Sequence, residues 1–243
     1  MRFLTLGAGF IDKFVYSETN DWDEVCYYPT TLSKVLLVVL IVAALVAAVL
    51  IAQAAKKKAG AAETESRPVL TVKQLTFCAL AIALGTALSS FKLFSFPTGG
   101  SITMFSMLVI CLPGYFFGLV PGLLTGLAYG LLQLLIDPYV LYPMQLVVDY
   151  ILAFTALGLS GLFANSKFGI LKGYIAGVLG RFVFAVISGW IFFGEYAWEG
   201  WSALPYSIVY NAIYIFAEAA VTIVVILLIG NSTFVKLKNM SRE

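Results

Sequence analysis

Three ionisable side chains stand in apolar surroundings: Asp149 in the stretch Pro143-Met144-Gln145-Leu146-Val147-Val148-Asp149-Tyr150, Arg181 in the run 171–193, and Glu218 in the run 205–229. An ionisable group at the centre of a bilayer costs ~2.5–3.5 kcal/mol on insertion scales, so each needs a partner, a cavity or a task. Gln145 precedes Asp149 by four residues and Tyr142 by seven, which puts all three on one helical face. Asn211, Tyr214 and Glu218 follow one another at spacings of three and four, a polar and aromatic stripe on an otherwise apolar helix. Along the face of Arg181, the small residues Gly177, Ala185 and Gly189 leave room for a ligand or a neighbouring backbone.

Arg181 could pair with Asp149 or Glu218 and hold a bundle together. Two acids and one base still leave an acid over, and that surplus suits a cationic guest. Proton coupling is the rival use of a carboxylate without a cation. Aromatic side chains add a second clue. Tyr129, Tyr150, Tyr206 and Tyr214 fall in span interiors or on polar faces, where rings could sandwich a flat heterocycle or cover a positive charge. Trp198 and Trp201 fit an interfacial belt equally well.

Composition sets the frame for these groups. The 243 residues are 61% hydrophobic and 12% charged, against roughly 45–50% and about 25% in soluble domains, so the chain is an integral membrane protein. Net charge is +2 and histidine is absent, which argues against nucleic-acid binding and removes the commonest metal ligand and proton carrier. Cys26, Cys78 and Cys111 show no metal or redox spacing.

A helix needs about 20 mostly apolar residues to cross the hydrocarbon core. Seven runs qualify as candidates: 34–55, 72–91, 102–117, 122–136, 143–164, 171–193 and 205–229. The third and fourth are short, are separated by Gly118-Leu119-Val120-Pro121, and read as a hairpin buried among longer helices. Lys56, Lys57, Lys58, Arg67, Lys73, Lys167, Lys172, Lys236, Lys238 and Arg242 fall in alternate connections, which places those on the cytoplasmic side and the acidic N-terminus outside. Glycines at 114, 118, 122, 126 and 130 recur every four residues, a stripe for close helix packing. Ala79, Ala83 and Ala87 repeat the spacing in the second run, as do Ala81 and Gly85.

The organisation expected is an extracellular tail over 1–33, a transmembrane anchor over 34–55, a flexible cytoplasmic linker over 56–68, a six-helix membrane domain over 69–235 and a cytoplasmic tail over 236–243. The fold class is an all-α membrane protein with one N-terminal helix beyond the six.

Residues 70–230 resemble the thiamine-specific S-components of energy-coupling-factor (ECF) transporters. The likeness rests on Tyr129-Gly130-Leu131-Leu132-Gln133, on Asp137-Pro138-Tyr139-Val140-Leu141-Tyr142-Pro143-Met144-Gln145, on Asp149-Tyr150-Ile151-Leu152-Ala153-Phe154, and on a later block from Gly189 through Glu195-Tyr196-Ala197-Trp198-Glu199-Gly200-Trp201 to Tyr206 and Asn211. The resemblance implies a six-helix S-component bundle in the bacterial plasma membrane, a vitamin site near the outer side and no enzymatic activity. It implies Asp149 opposite the thiazolium, with Tyr150, Tyr129, Tyr139, Arg181, Phe193, Tyr206 and Asn211 around the ligand. Glu218 joins this group from its place on the polar stripe. Ala185 stands where some relatives carry histidine, and Phe193 where tryptophan can occur.

The implied mechanism is capture of thiamine, or a close relative, outside and delivery inward. A lid over 92–101, with Pro97, Gly99 and Gly100, would cover the site. Partners would be a transmembrane coupling subunit, touched by Ala79 and Ala83, and two ATPases. This chain has no cofactor of its own and no glycine-rich loop with lysine for nucleotide, so ATP would be used by those partners. The alternative reading is a self-sufficient proton-coupled carrier for a cationic heterocycle using Asp149 and Glu218.

Overall fold

The computed structural model describes residues 13–19, 25–33, 35, 36, 39, 70–96 and 99–242. Apart from Val35, Leu36 and Val39, the expected anchor and linker lie outside the described residues, as does Pro97 of the expected lid. Near the N-terminus β1 (Val15–Thr19) pairs antiparallel with β2 (Val25–Pro29), Val15 opposite Pro29 and Thr19 opposite Val25.

Among the described residues from 70 onward the principal helices are α1 (Val72–Ser90), α2 (Ser106–Phe117), α3 (Leu119–Ile136), α4 (Pro143–Phe163), α5 (Gly169–Phe192), α6 (Ala203–Ile229) and α7 (Asn231–Arg242). All but α2 and α7 are long and apolar enough to cross a membrane. Their exposed side chains, among them Leu80, Leu84, Val221, Val224, Leu227 and Leu228, are what a lipid-facing surface requires.

The short α2 is the hub of the bundle, packed against α1, α3, α4 and α5, and ten of its residues are buried. This corrects the third expected span. The apolar run that begins at Ile102 is first a strand, β4 (Ser101–Thr103), paired with β3 (Lys92–Ser95), and turns helical only at Ser106. Twelve helical residues reach about 18 Å at 1.5 Å each, well short of the ~30 Å core. Irregular backbone at that depth is tolerated because protein, not lipid, surrounds it. The expected lid is thus a β-hairpin. Gly118 alone makes the break between α2 and α3: at φ +103 it adopts a conformation that favours glycine, and α3 resumes at the next residue.

The glycine stripe of α3 works inside the molecule. Gly122 meets Gly158 backbone to backbone, and Gly126 and Gly130 lie against the carbonyl oxygens of Phe154 and Tyr150. Those carbonyls belong to α4, which is not a uniform helix: Val147–Leu152 is a π-helical stretch and Ala156–Phe163 is 3₁₀. A π segment widens the helix by one residue per turn and is frequent at functional sites. Here it carries Asp149 and Tyr150.

On α1, Ala81 and Gly85 turn into the bundle while Ala79, Ala83 and Ala87 are exposed. The helix starts with a reciprocal cap, Thr71 accepting from Gln74 N–H and Gln74 accepting from Thr71 N–H. At the far end the expected tail is helical. Gly230, at φ +80, ends α6, and α7 folds under α2 and α6 with Phe234, Lys238 and Ser241 buried. Its Arg242 donates to the Phe116 carbonyl and its Lys238 to the Ala164 carbonyl, capping the ends of α2 and α4. Burial lowers the Lys238 pKa below the usual lysine range, and neighbouring Arg242 lowers it further.

Candidate binding site

A cavity of about 320 Å³ lies at the hairpin end of the bundle, opposite α7. Its walls come from the β3–β4 hairpin, the end of α1, the start of α2, the second half of α3 and the loop after it, the first turns of α4, the second half of α5 and the first turns of α6. Asp149, Tyr150, Tyr129, Tyr139, Arg181, Phe193, Tyr206 and Asn211 all line it. These residues are spread over more than eighty positions, and the fold brings them round one space.

Asp149 projects from the π segment, beside Ser188 of α5 and Gln145 of its own helix, with Arg181 near enough to act through its field. The ion pair within 4 Å among the described residues is Lys92 with Asp137, so Asp149 and Arg181 are not in contact. Arg181 instead lays its guanidinium over the Phe154 ring, 4.6 Å from the centroid. Neither side chain is tied up in a direct ion pair with the other.

Glu218 goes elsewhere. It is 4% exposed and is not among the cavity-lining residues. Its carboxylate accepts from the Thr103 N–H at 3.2 Å, the Thr103 hydroxyl at 2.7 Å, the Ser106 hydroxyl at 3.4 Å and the Met107 N–H at 3.2 Å. That is a cap supplied by α6 to the first turn of α2, where the helix dipole favours a negative charge. The stripe Asn211, Tyr214, Glu218 thus divides: its first two members face the cavity and its third, one turn deeper, holds the root of the hairpin.

Aromatic rings form the upper walls. Tyr139 and Phe193 are nearly parallel, 13° apart, with centroids 6.2 Å from each other. Tyr139 is fixed through its backbone: its N–H donates to the Tyr150 hydroxyl at 2.7 Å, and its carbonyl accepts from Gln145 Nε2 at 2.9 Å. Gln145, 1% exposed, also accepts from Leu141 N–H at 2.8 Å, so it organises the whole 139–142 loop. Trp198 and Trp201 lie outside the cavity lining, edge to face with each other, and Trp198 backs Tyr206 at 5.2 Å.

The hairpin closes the top. Gly99 and Gly100 share φ +84, and a Cβ on them would stand 2.9 Å from the Tyr139 ring and 2.8 Å from the Tyr214 ring. The Tyr210 hydroxyl donates to the Gly99 carbonyl at 2.8 Å. At the rim, Lys92 at the start of β3 pairs with Asp137 at the end of α3. Sequence reasoning named the lid glycines but gave no role to Phe96, Ser188 or Ser207, which also line the cavity. Helical spacing carried the signal for two of them, Ser188 seven residues after Arg181 and Ser207 four before Asn211.

A helical bundle with a polar and aromatic cavity at one end, and apolar side chains exposed along its helices, is the build of a multi-pass membrane protein with room for a small solute. Residues 75–238 match the family described as thiamine transporter protein (Thia_YuaJ), and the chain belongs to that family, one of transporters rather than enzymes. It is 36% identical over 149 residues to the thiamine transporter ThiT of Bacillus subtilis (strain 168), covering 56% of this chain and 77% of that one. With ThiT of Lacticaseibacillus paracasei identity is 31% over 126 residues, 45% of this chain and 63% of that protein. The solved structure of ThiT from Listeria monocytogenes superposes with a TM-score of 0.57 at 28% identity, over 64% of this chain and 92% of the other.

Proposed function

We propose that this chain binds thiamine from the outer side of the bacterial membrane and passes it inward as the substrate-binding subunit of an ECF-type importer. One observation carries the reading: Asp149 lines a ring-walled cavity and makes no direct ion pair with Arg181. In that space the carboxylate faces the thiazolium, and the near-parallel Tyr139 and Phe193 offer faces to a flat ring, with Tyr129, Tyr150 and Tyr206 completing the walls. Arg181 and Asn211 supply further polar contacts in the same cavity. The hairpin is the lid, fastened by the Tyr210 hydroxyl and the Lys92–Asp137 pair.

Delivery needs partners. The exposed stripe Ala79, Ala83 and Ala87 on α1 lets another helix approach closely, as a transmembrane coupling subunit would, with two ATPases behind it. Glu218, being committed to the cap of α2, is a structural group in this scheme, and a carrier that needs two free carboxylates in the cavity gains nothing from it. We assign residues 34–55 to an additional anchor and 56–68 to its linker.

Isothermal titration of the purified full chain with thiamine tests the binding claim, alongside mass spectrometry of whatever co-purifies. Saturable binding of one thiamine per chain is expected. Absence of heat and of any bound thiamine, in protein that is folded, would end the proposal.

A further inference from the structure

The helix α7 begins one residue after α6 and lies across the end of the bundle away from the cavity. Its side chains sort into three stripes at helical spacing. Phe234, Lys238 and Ser241 are buried against the protein. Thr233, Leu237 and Met240 are exposed along one flank, Met240 by 65%. Ser232, Lys236 and Asn239 are exposed on the side turned furthest from the buried stripe. A helix that met only protein and water would have no use for an apolar flank between the two. That division is what a helix lying in a membrane interface requires.

The neighbouring surface carries the same combination. Lys238 Nζ donates to Asn165 Oδ1 at 3.3 Å, which ties α7 to the turn between α4 and α5, and Lys73 Nζ at the start of α1 donates to the Met240 carbonyl at 3.3 Å. In that turn Phe168 is exposed and held at φ +56, with the Lys167 ammonium 5.6 Å from its ring centroid. An exposed ring beside a lysine suits the boundary between acyl chains and headgroups. Charge at this end has one sign. Lys73, Lys167, Lys172, Lys236 and Arg242 are exposed here, while the acids among the described residues from 70 onward lie at the cavity end or, as Glu218, in the buried cap of α2.

We infer that α7 and the α4–α5 turn form a docking surface for the anionic lipid headgroups of the leaflet at this end. Leu237, Met240 and Phe168 enter the acyl boundary, and Lys167, Lys172 and Lys236 meet the headgroup phosphates. An acidic protein surface would satisfy the lysines and leave the apolar flank bare. The flank also follows directly on Leu227 and Leu228, the exposed lipid-facing residues that end α6. None of these side chains lines the cavity, so the surface stands whether or not the cavity takes thiamine.

The test is native mass spectrometry of the detergent-purified full chain after equilibration with equal amounts of phosphatidylglycerol and phosphatidylcholine. Wild type should retain phosphatidylglycerol at least about fivefold over phosphatidylcholine, and Lys167→Gln/Lys172→Gln/Lys236→Gln should bring the ratio close to one. Thermal unfolding of the same variant shows whether it is folded; should it not fold, Lys236→Gln alone should lower the ratio. A second measurement places the flank. Nitroxide labels introduced through Met240→Cys and through Asn239→Cys, each with Cys26→Ser, are compared in phosphatidylglycerol nanodiscs. Oxygen dissolved in lipid should reach the label at position 240, and a water-soluble nickel chelate the label at position 239. Equal retention of the two lipids by wild type, or an undiminished preference in the folded lysine variant, overturns the inference. A label at position 240 that meets the nickel chelate as freely as the one at 239 overturns the interfacial placement of α7.

Discussion

Gly130 of α3 lies directly against the carbonyl oxygen of Tyr150, with no space between them for a methyl group. Tyr150 belongs to the π-helical stretch that also carries Asp149, so the depth at which that carboxylate enters the cavity is set by how closely two backbones approach. Gly130→Ala should therefore weaken thiamine binding as well as stability, the overpacking alone costing about 1–3 kcal/mol. Titration and thermal unfolding of the same preparation check it. A variant of normal melting temperature and normal affinity would show that α4 does not depend on this contact.

Asp149→Asn keeps shape and removes charge. If the carboxylate is the counter-ion of the thiazolium, affinity should fall by roughly a hundredfold, the ~2–3 kcal/mol of a charge-assisted contact. Glu199→Gln, in an exposed loop outside the cavity lining, is the matched control and should change nothing. Asp137 cannot serve as that control, because it lines the rim and pairs with Lys92. Comparable losses at Asp149 and Glu199 would point to a general charge effect.

Glu218→Gln exposes the difference between a cap and a ligand. The amide nitrogen would face donors that the second carboxylate oxygen now satisfies, a loss of about 2–4 kcal/mol in stability. The expected result is a lowered unfolding temperature, with thiamine binding retained in the folded fraction. An unchanged melting point combined with lost binding would return Glu218 to the list of ligand contacts.

Gly99→Ala tests the lid. The position has a positive φ, and the added methyl would press on the Tyr139 ring. Stopped-flow measurement with thiamine should show faster release, with the association rate changed less. Release at the wild-type rate would mean the hairpin does not hold the guest.

Ala83→Trp addresses the partner face. It adds bulk to an exposed stripe outside the cavity lining, so thiamine binding by the isolated chain should persist while uptake by cells is lost. Normal uptake would place the coupling surface elsewhere.

Several of these residues could be found before any coordinates. The four-residue glycine stripe announced close packing, and α3 against α4 is where it occurs. Asp149-Tyr150 stood out because a charge in an apolar run is conspicuous. The run 102–117 was misjudged as one helical span, since a short apolar stretch looks the same whether it becomes strand, buried helix or both; the split at Ser106 depends on Glu218, more than a hundred positions away. The same distance hid the role of Glu218 itself. The C-terminal residues were expected only as a cytoplasmic tail, yet Lys238 and Arg242 find carbonyl partners on α4 and α2.

Hydropathy and residue spacing are local along the chain, and they were enough to determine a multi-pass helical protein, its apolar runs and its stripes of small residues. Which of the two intramembrane acids lines the cavity and which caps a helix was decided only by tertiary structure. Each of those depends on hydrogen-bond partners and close backbone approaches contributed by other helices, and no local pattern records who those neighbours will be.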